Sequence, residues 1–332
     1  MLSGKSVGFG RRTFAAAFAA AMAFGAGSAF AAEDVDVRFS WKLKGEYAPF
    51  FLAKSSGAFE EAGLNVTLGE GAGSQAALGA LLQGQEDIVV MPGMFAISAI
   101  QKGMPVKLVA LYHPRTPVVM ISHPDNPVTE PKDLEGKTLA TSVGETGTSF
   151  LEPFCVINDV DCSKINTVMM DSQSRVPQFL QGQVDVVSAY LSNDLPILEK
   201  QTGEDYPILD LGKHGLAAPG MAVVTSDKLL EERPQVLSSF LAAVGEAVKQ
   251  AKADPAKAAE VMKEAWPGGP DLDIIEKQVK ATVDAVPSYD AKPVGWIEES
   301  EIRAALDLLE SQEGFGEAKS VDAFYSNSLL QQ

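Results

Sequence analysis

Cysteine is nearly absent from this 332-residue chain, with two in all, and histidine occurs three times. Basic residues are also scarce: 27 Lys and Arg stand against 44 Asp and Glu, a formal net charge of −17. His113, His123 and His214 are scattered, with no H-x-x-x-H pair and no His/Cys/Asp cluster, so no metal site is expected. No G-x-S-x-G turn occurs, and no local signature supports a Ser/His/Asp set. The deficit of Lys and Arg excludes nucleic acid and anionic membrane as partners, because binding either requires basic side chains that displace counterions. Beyond the first residues no apolar run approaches the length of a membrane span.

What is present begins with an export leader. Lys5, Arg11 and Arg12 precede an alanine-rich apolar run at 14–24, and Ala29 and Ala31 fit an A-x-A cleavage site. Residues 1–31 therefore read as a signal peptide cut after Ala31. The pair Arg11-Arg12, followed by Thr13-Phe14 and a weakly hydrophobic stretch, points to the twin-arginine route, with a general secretory signal as the alternative. Loss of the leader's three basic residues deepens the net charge to about −20. No cysteine precedes Cys155, so lipidation at an N-terminal cysteine is excluded and a free periplasmic protein is expected. In that oxidising compartment Cys155 and Cys162 are expected to form a disulfide.

Along the rest of the chain short apolar runs alternate with helix-like segments. "VDVRFSW", "LNVTLG", "DIVVMP" and "VKLVALY" read as strands; "APFFLAKSSGAFEEAG", "SQAALGALLQGQ" and "MFAISAIQKG" read as helices. Such alternation predicts an α/β fold with a mostly parallel sheet. The chain also repeats itself. "SQAALGALLQGQEDIVV" from Ser74 aligns without a gap with "SQSRVPQFLQGQVDVVS" from Ser172. Gly84 and Gly182 are expected to end helices at positive φ, and Asp87 and Asp185 to serve as turn or capping residues. Ligands of open α/β sheets bind beyond the carboxyl ends of strands, which turns attention to the loops at the other end.

One of those loops, "GEGAGSQ", imitates a nucleotide turn but has the wrong spacing. A dinucleotide site needs G-x-G-x-x-G opening the helix and an acidic residue ending the next strand. Here Gly69, Gly71 and Gly73 precede the helix, and the next strand ends in Met91-Pro92. No G-x-x-x-x-G-K-[ST] occurs either. Gly73 and Ser74 remain candidates for close approach to a ligand at a helix N-terminus, with Ser74 as N-cap. A second polar helix start, "VGETGTSF", offers Gly144, Gly147, Thr146, Thr148 and Ser149, which in the repeated architecture would face the first across a cleft.

These segments resemble a known family. "WKLKGEYAPFFLAKSSGAFEEAGLNVTLGEGAGSQ", "GMPVKLVALY", "PKDLEGKTLATSVGETGT" and "LQGQVDVVSAYLSND" are similar to the periplasmic solute-binding proteins of ABC importers, in the SsuA/THI5-like (NMT1/THI5-like) group. The resemblance covers nearly all of the chain after the leader. It implies an α/β, two-lobed type II binding protein, a Venus flytrap with two strand crossovers, at 117–120 and 220–223. Lobe 1 would comprise 32–117 plus 221–332 and lobe 2 118–220, with the C-terminal helices packed on lobe 1. It also implies ligand contacts at Trp41, Tyr47, Gly73, Ser74, Gly144, Thr146, Thr148, Tyr190 and Asn193. The cysteine-rich segment of the fungal pyrimidine synthases in this superfamily is missing, which leaves little support for an enzyme.

Tyr112 and Arg115 complete the candidate set. Arg115, in "YHPRTP", would anchor a carboxylate or sulfonate through its guanidinium fork, against the plainer reading of a surface arginine. Trp266 and Trp296 are expected to be packing residues. An aromatic, hydroxyl-rich set with few charges suits a planar heterocycle, first a thiamine pyrimidine precursor. An aromatic carboxylate or sulfonate is the alternative ligand, and an enzyme acting on a pyrimidine or aromatic acid the alternative of another class. A sensory module docked to a membrane kinase is a third reading. The expected partners are a small-molecule ligand and an inner-membrane ABC permease; no cofactor and a monomeric state are expected.

Overall fold

The computed structural model describes residues 1–5, 8, 32–143, 145–288, 292–310, 317 and 319–330. The twin arginines and the Ala31 cleavage site lie outside the described residues. Ten strands are present among those described: β1 (Glu33–Phe39), β2 (Leu64–Gly69), β3 (Ile88–Pro92), β4 (Val106–Leu111), β5 (Val118–Ser122), β6 (Thr138–Thr141), β7 (Asn166–Met169), β8 (Val186–Tyr190), β9 (Ile208–Asp210) and β10 (Met221–Ser226). They make two five-stranded sheets, ordered β2-β1-β3-β10-β4 and β7-β6-β8-β5-β9. The two orders are equivalent, since in each sheet one strand inserted from elsewhere in the chain separates the third strand from the last. The chain passes from the first sheet to the second between β4 and β5 and returns between β9 and β10, giving a two-lobed α/β molecule.

Each sheet is mixed. β10 runs antiparallel to β3 and β4, and β5 runs antiparallel to β8 and β9. The inserted strand carries the chain across from the other lobe and so enters against the direction of its neighbours. β3 is buried at its first four residues, β5 throughout and β10 at all but its last, the pattern of strands covered on both faces. Helices Pro234–Ala253 and Pro255–Ala265 return to cover the first sheet, where Phe240 stacks on Phe59 with ring centres 5.3 Å apart. Among the described residues no helix is long and apolar enough to cross a membrane.

The internal repeat occupies equivalent places in the two sheets. Helix Ser74–Leu82 leads into β3 and helix Arg175–Leu180 into β8. Gly84 and Gly182 have φ of 69° and 68°, the left-handed conformation expected after a helix end. Asp87 accepts the Asp36 N–H at 3.0 Å and Asp185 accepts the Thr138 N–H at 2.7 Å, so each ties its turn to the neighbouring strand. Cys155 and Cys162 are disulfide-bonded.

Candidate ligand-binding site

The glycines of "GEGAGSQ" serve the backbone first. A Cβ at Gly71 would lie 2.3 Å from the Phe39 carbonyl oxygen, so only glycine lets this loop lie against the end of β1. Gly71 N–H donates to Trp41 O at 3.0 Å and Gly73 N–H to Ser40 O at 2.8 Å. This stitching places Trp41 and Ser74 together at one wall of a cavity of about 360 Å³ between the lobes. Gly73, at φ +137°, is itself the N-cap; Ser74 is the first helical residue rather than the cap.

Trp41, Tyr47, Tyr190 and Trp266 give the cavity aromatic walls. Tyr47 is held by stacking on Phe39, with ring centres 4.1 Å apart. Ser74, Ser172, Gln173, Ser188, Asn193 and Gln278 supply polar groups. The charged lining is balanced: Lys42, Lys44 and Arg175 against Glu46, Glu145 and Asp194.

Two enclosed clusters carry much of that charge. On the first-lobe side Lys44 pairs with Glu46 at 2.6 Å, with side chains 16% and 5% exposed. The Lys44 ammonium also lies 4.2 Å from the centre of the Tyr190 ring and 5.4 Å from that of Tyr47. Burial alone would lower the Lys44 pKa, but Glu46, helped by the two tyrosines, raises it overall. Burial alone would raise the Glu46 pKa, but Lys44 and His113 hold it below the usual carboxylate range. His113 lies behind the pair, with Nδ1 3.8 Å from Glu46 and Nε2 3.0 Å from the Thr282 carbonyl, which fixes the proton on Nε2. Burial pushes the His113 pKa down against the pull of Glu46. The same corner joins the lobes. Asn193 donates to Glu46 at 3.4 Å, Gln278 donates to Asn193 O at 2.8 Å, and Gly45 N–H donates to Gln278 at 3.1 Å.

On the second-lobe side Glu145 caps the short helix Thr146–Ser149. Its carboxylate accepts the N–H of Gly147 at 2.7 Å and of Thr148 at 3.1 Å, as well as the Thr148 hydroxyl. Ser188 donates its hydroxyl to Glu145 and accepts from Arg175 Nη1 at 2.9 Å. Arg175 Nη1 also donates to Ser188 O at 3.0 Å and stands 3.9 Å from the Glu145 carboxylate.

Of the residues singled out in the sequence, Trp41, Tyr47, Ser74, Tyr190 and Asn193 line the cavity. Others are placed elsewhere. Tyr112 is fully buried in the first-lobe core, edge-on to Phe50. Arg115 is exposed and outside the lining, although its loop neighbours His113 and Thr116 are buried. Thr148 spends its N–H and hydroxyl on Glu145, and Gly144 and the Thr146 side chain lie outside the described residues. Trp266, expected only to pack, also lines the cavity, while Trp296 lies under the Lys292 ammonium at 5.3 Å. Lys44, Glu46, Glu145, Arg175 and Gln278 were not foreseen. The "SQSR" of the repeat was a usable signal for Arg175, since it follows the same strand end as Ser74. Among the described residues no three His, Cys, Asp or Glu side chains stand together to hold a metal ion.

Comparison with known proteins agrees with this architecture. The riboflavin-binding protein RibY of Chloroflexus aurantiacus is 24% identical over 229 residues; the match covers 68% of this chain and spans 64% of that protein. The periplasmic aliphatic sulphonate binding protein SsuA of Escherichia coli superposes with a TM-score of 0.69 at 16% identity, covering 89% of this chain and 92% of its own. The desulfurization enzyme DSZB has the same fold, with a TM-score of 0.61 at 14% identity over 89% of this chain and 97% of its own, so the fold alone does not separate binding from catalysis. The family model described as NMT1/THI5 like matches residues 44–258, well over half of the chain. With its two equivalent sheets and the cavity between them, this chain belongs to the NMT1/THI5-like family.

Proposed function

We propose that the protein is the substrate-binding component of an ABC importer, exported to the periplasm, cleaved after Ala31, and acting as a monomer that delivers its ligand to an inner-membrane permease. The carrying observation is a charge-balanced cavity with aromatic faces from both lobes: Trp41, Tyr47 and Trp266 on one side and Tyr190 on the other. Such a lining suits a planar, neutral or weakly charged ring, stacked on its faces and hydrogen-bonded at its edges. A thiamine pyrimidine precursor fits this description first. The larger isoalloxazine ring, suggested by the name of the RibY relative, is the second heterocycle to try. The carboxylate or sulfonate alternative has lost its anchor, since Arg115 is exposed and off the lining. Neither enclosed cluster pairs a serine or threonine hydroxyl with a histidine base, since His113 meets only Glu46 and the Thr282 carbonyl, which favours transport over catalysis.

The test is a thermal-shift screen followed by titration calorimetry with an aminopyrimidine precursor, riboflavin, an alkanesulfonate and nitrate. The aminopyrimidine should bind saturably and be recovered unchanged. Trp41→Ala should weaken that binding by about 1–3 kcal/mol, the value of one aromatic stacking face. Binding of the sulfonate or nitrate alone would overturn the heterocycle reading, and turnover of any ligand would overturn the transport reading.

A further inference from the structure

The second-lobe cluster has a property that a simple polar wall does not need. The Glu145 carboxylate is met by donors from Gly147, Thr148 and Ser188, and Arg175 stands beside it. That is the set of partners an anionic ligand group would seek. The local packing admits it closely: a Cβ at Gly147 would lie 2.8 Å from Glu145 Oε1 and 2.7 Å from Ser188 Cβ. Glu145 and Arg175 are only 10% and 13% exposed at their side chains, and both line the cavity. Arg175 Nε is enclosed without a hydrogen-bond partner, so the guanidinium has a donor to spare. On the opposite wall the charge of Lys44 is already offset by Glu46 at 2.6 Å.

We propose that Glu145 sets the charge selectivity of this cavity: its carboxylate occupies the place against Arg175 that an anionic ligand group would take, so carboxylates and sulfonates are rejected and neutral or weakly cationic rings are admitted. The inference rests on the reading of the cavity as the ligand site and names the residue that decides the ligand's charge. An anion entering beside Glu145 meets a fixed like charge in an enclosed space, which disfavours its binding. Removing that charge while keeping a side chain of the same shape turns Arg175 from a paired cation into a free one.

Titration calorimetry with benzenesulfonate and benzoate tests this on the full mature chain. The proteins compared are wild type, Glu145→Gln, Glu145→Ser, and the double variant Glu145→Gln/Arg175→Gln, with thermal melts to establish folding. Wild type should show no saturable binding of either anion in the micromolar range. The Glu145 variants should gain affinity on the order of a hundredfold, and the double variant should lose that gain. Micromolar binding of the anions by wild type would overturn the proposal. So would a folded Glu145 variant no better than wild type, or a gain that survives loss of Arg175. The probes are simple anions, so a gain at Glu145→Gln alongside a failed heterocycle screen would refute the heterocycle reading alone.

Discussion

Substitution of Glu46 by glutamine removes one charge from an enclosed ion pair and leaves the shape of the cavity nearly unchanged. At 2.6 Å the Lys44–Glu46 attraction is about 6 kcal/mol at an effective dielectric of 20, most of it offset by the cost of taking both groups out of water. The loss on mutation is therefore set by what remains. With side-chain exposures of 16% and 5%, breaking the pair leaves a buried ammonium, a defect of about 3–5 kcal/mol. The Tyr190 and Tyr47 rings beside Lys44 return roughly 1 kcal/mol as cation–π attraction. Glu46→Gln should then destabilise by about 2–4 kcal/mol in urea unfolding at pH 7, with the m-value unchanged. Lys44→Met should cost a similar amount, because it strands the carboxylate. The double variant should recover most of both losses, since no uncompensated charge remains. The Glu46 pKa is lowered from 4.5 and the Lys44 pKa raised from 10.5, so the contribution is complete between those two values. It is lost as pH falls through the folded-state pKa of Glu46 or rises through that of Lys44. A Glu46→Gln penalty under about 1 kcal/mol, or single penalties that simply add in the double variant, would refute the reasoning.

His113 has a folded pKa below its usual 6.5, so the unfolded chain takes up its proton first as pH falls; stability should drop below pH 6.5 by up to about 1.4 kcal/mol per pH unit, and His113→Gln should flatten that part of a pH series of melts. Gly71→Ala should cost about 3 kcal/mol and weaken ligand binding as well, because its Cβ would push the loop off the end of β1; denaturant unfolding and calorimetry together check both effects. Reduction of the Cys155–Cys162 bridge, which closes a loop with a sequence separation of 7, should lower stability by about 2.5 kcal/mol in melts with and without reductant.

The two-lobed fold is legible in the sequence because its local periods are strong and because it states one unit twice. The copies beginning at Ser74 and Ser172 fall on equivalent helices and strands, and their glycines and aspartates keep the same tasks. The candidate site is legible where a residue ends or follows a strand, as with Trp41 and Tyr190, or opens a helix, as with Tyr47, Ser74 and Asn193. Charged residues in polar loops resemble any solvated surface. Lys44 and Glu46 become enclosed only when Tyr190, His113 and Gln278 arrive from distant parts of the chain, and nothing local announces that. Arg115 misleads for the converse reason: its chemistry suits an anion, but the residue is exposed and off the cavity lining while His113 and Thr116 beside it are buried. Trp266 follows a helix that covers the first sheet, and only the return of that helix brings it to the cavity.

The insertion of β10 between β3 and β4 has a consequence for how the molecule is made. All five strands of the second sheet lie within one continuous stretch, β5 to β9, so that lobe can form as soon as its own residues are available. The first lobe cannot. β4 finds its ladder partner in β10, and its other edge is covered near the C-terminus, where Leu108 N–H donates to Phe324 O at 3.0 Å and Ser326 N–H to Leu108 O at 2.9 Å. Until those late residues arrive, a strand buried at five of its six positions has both edges bare, a template for pairing with another chain. During synthesis all strands of the second sheet are therefore available before the first sheet receives its last strand, β10. A chain stopped between Asp210 and Met221 carries every strand of the second sheet but only β1 to β4 of the first, with β4 bare on both edges.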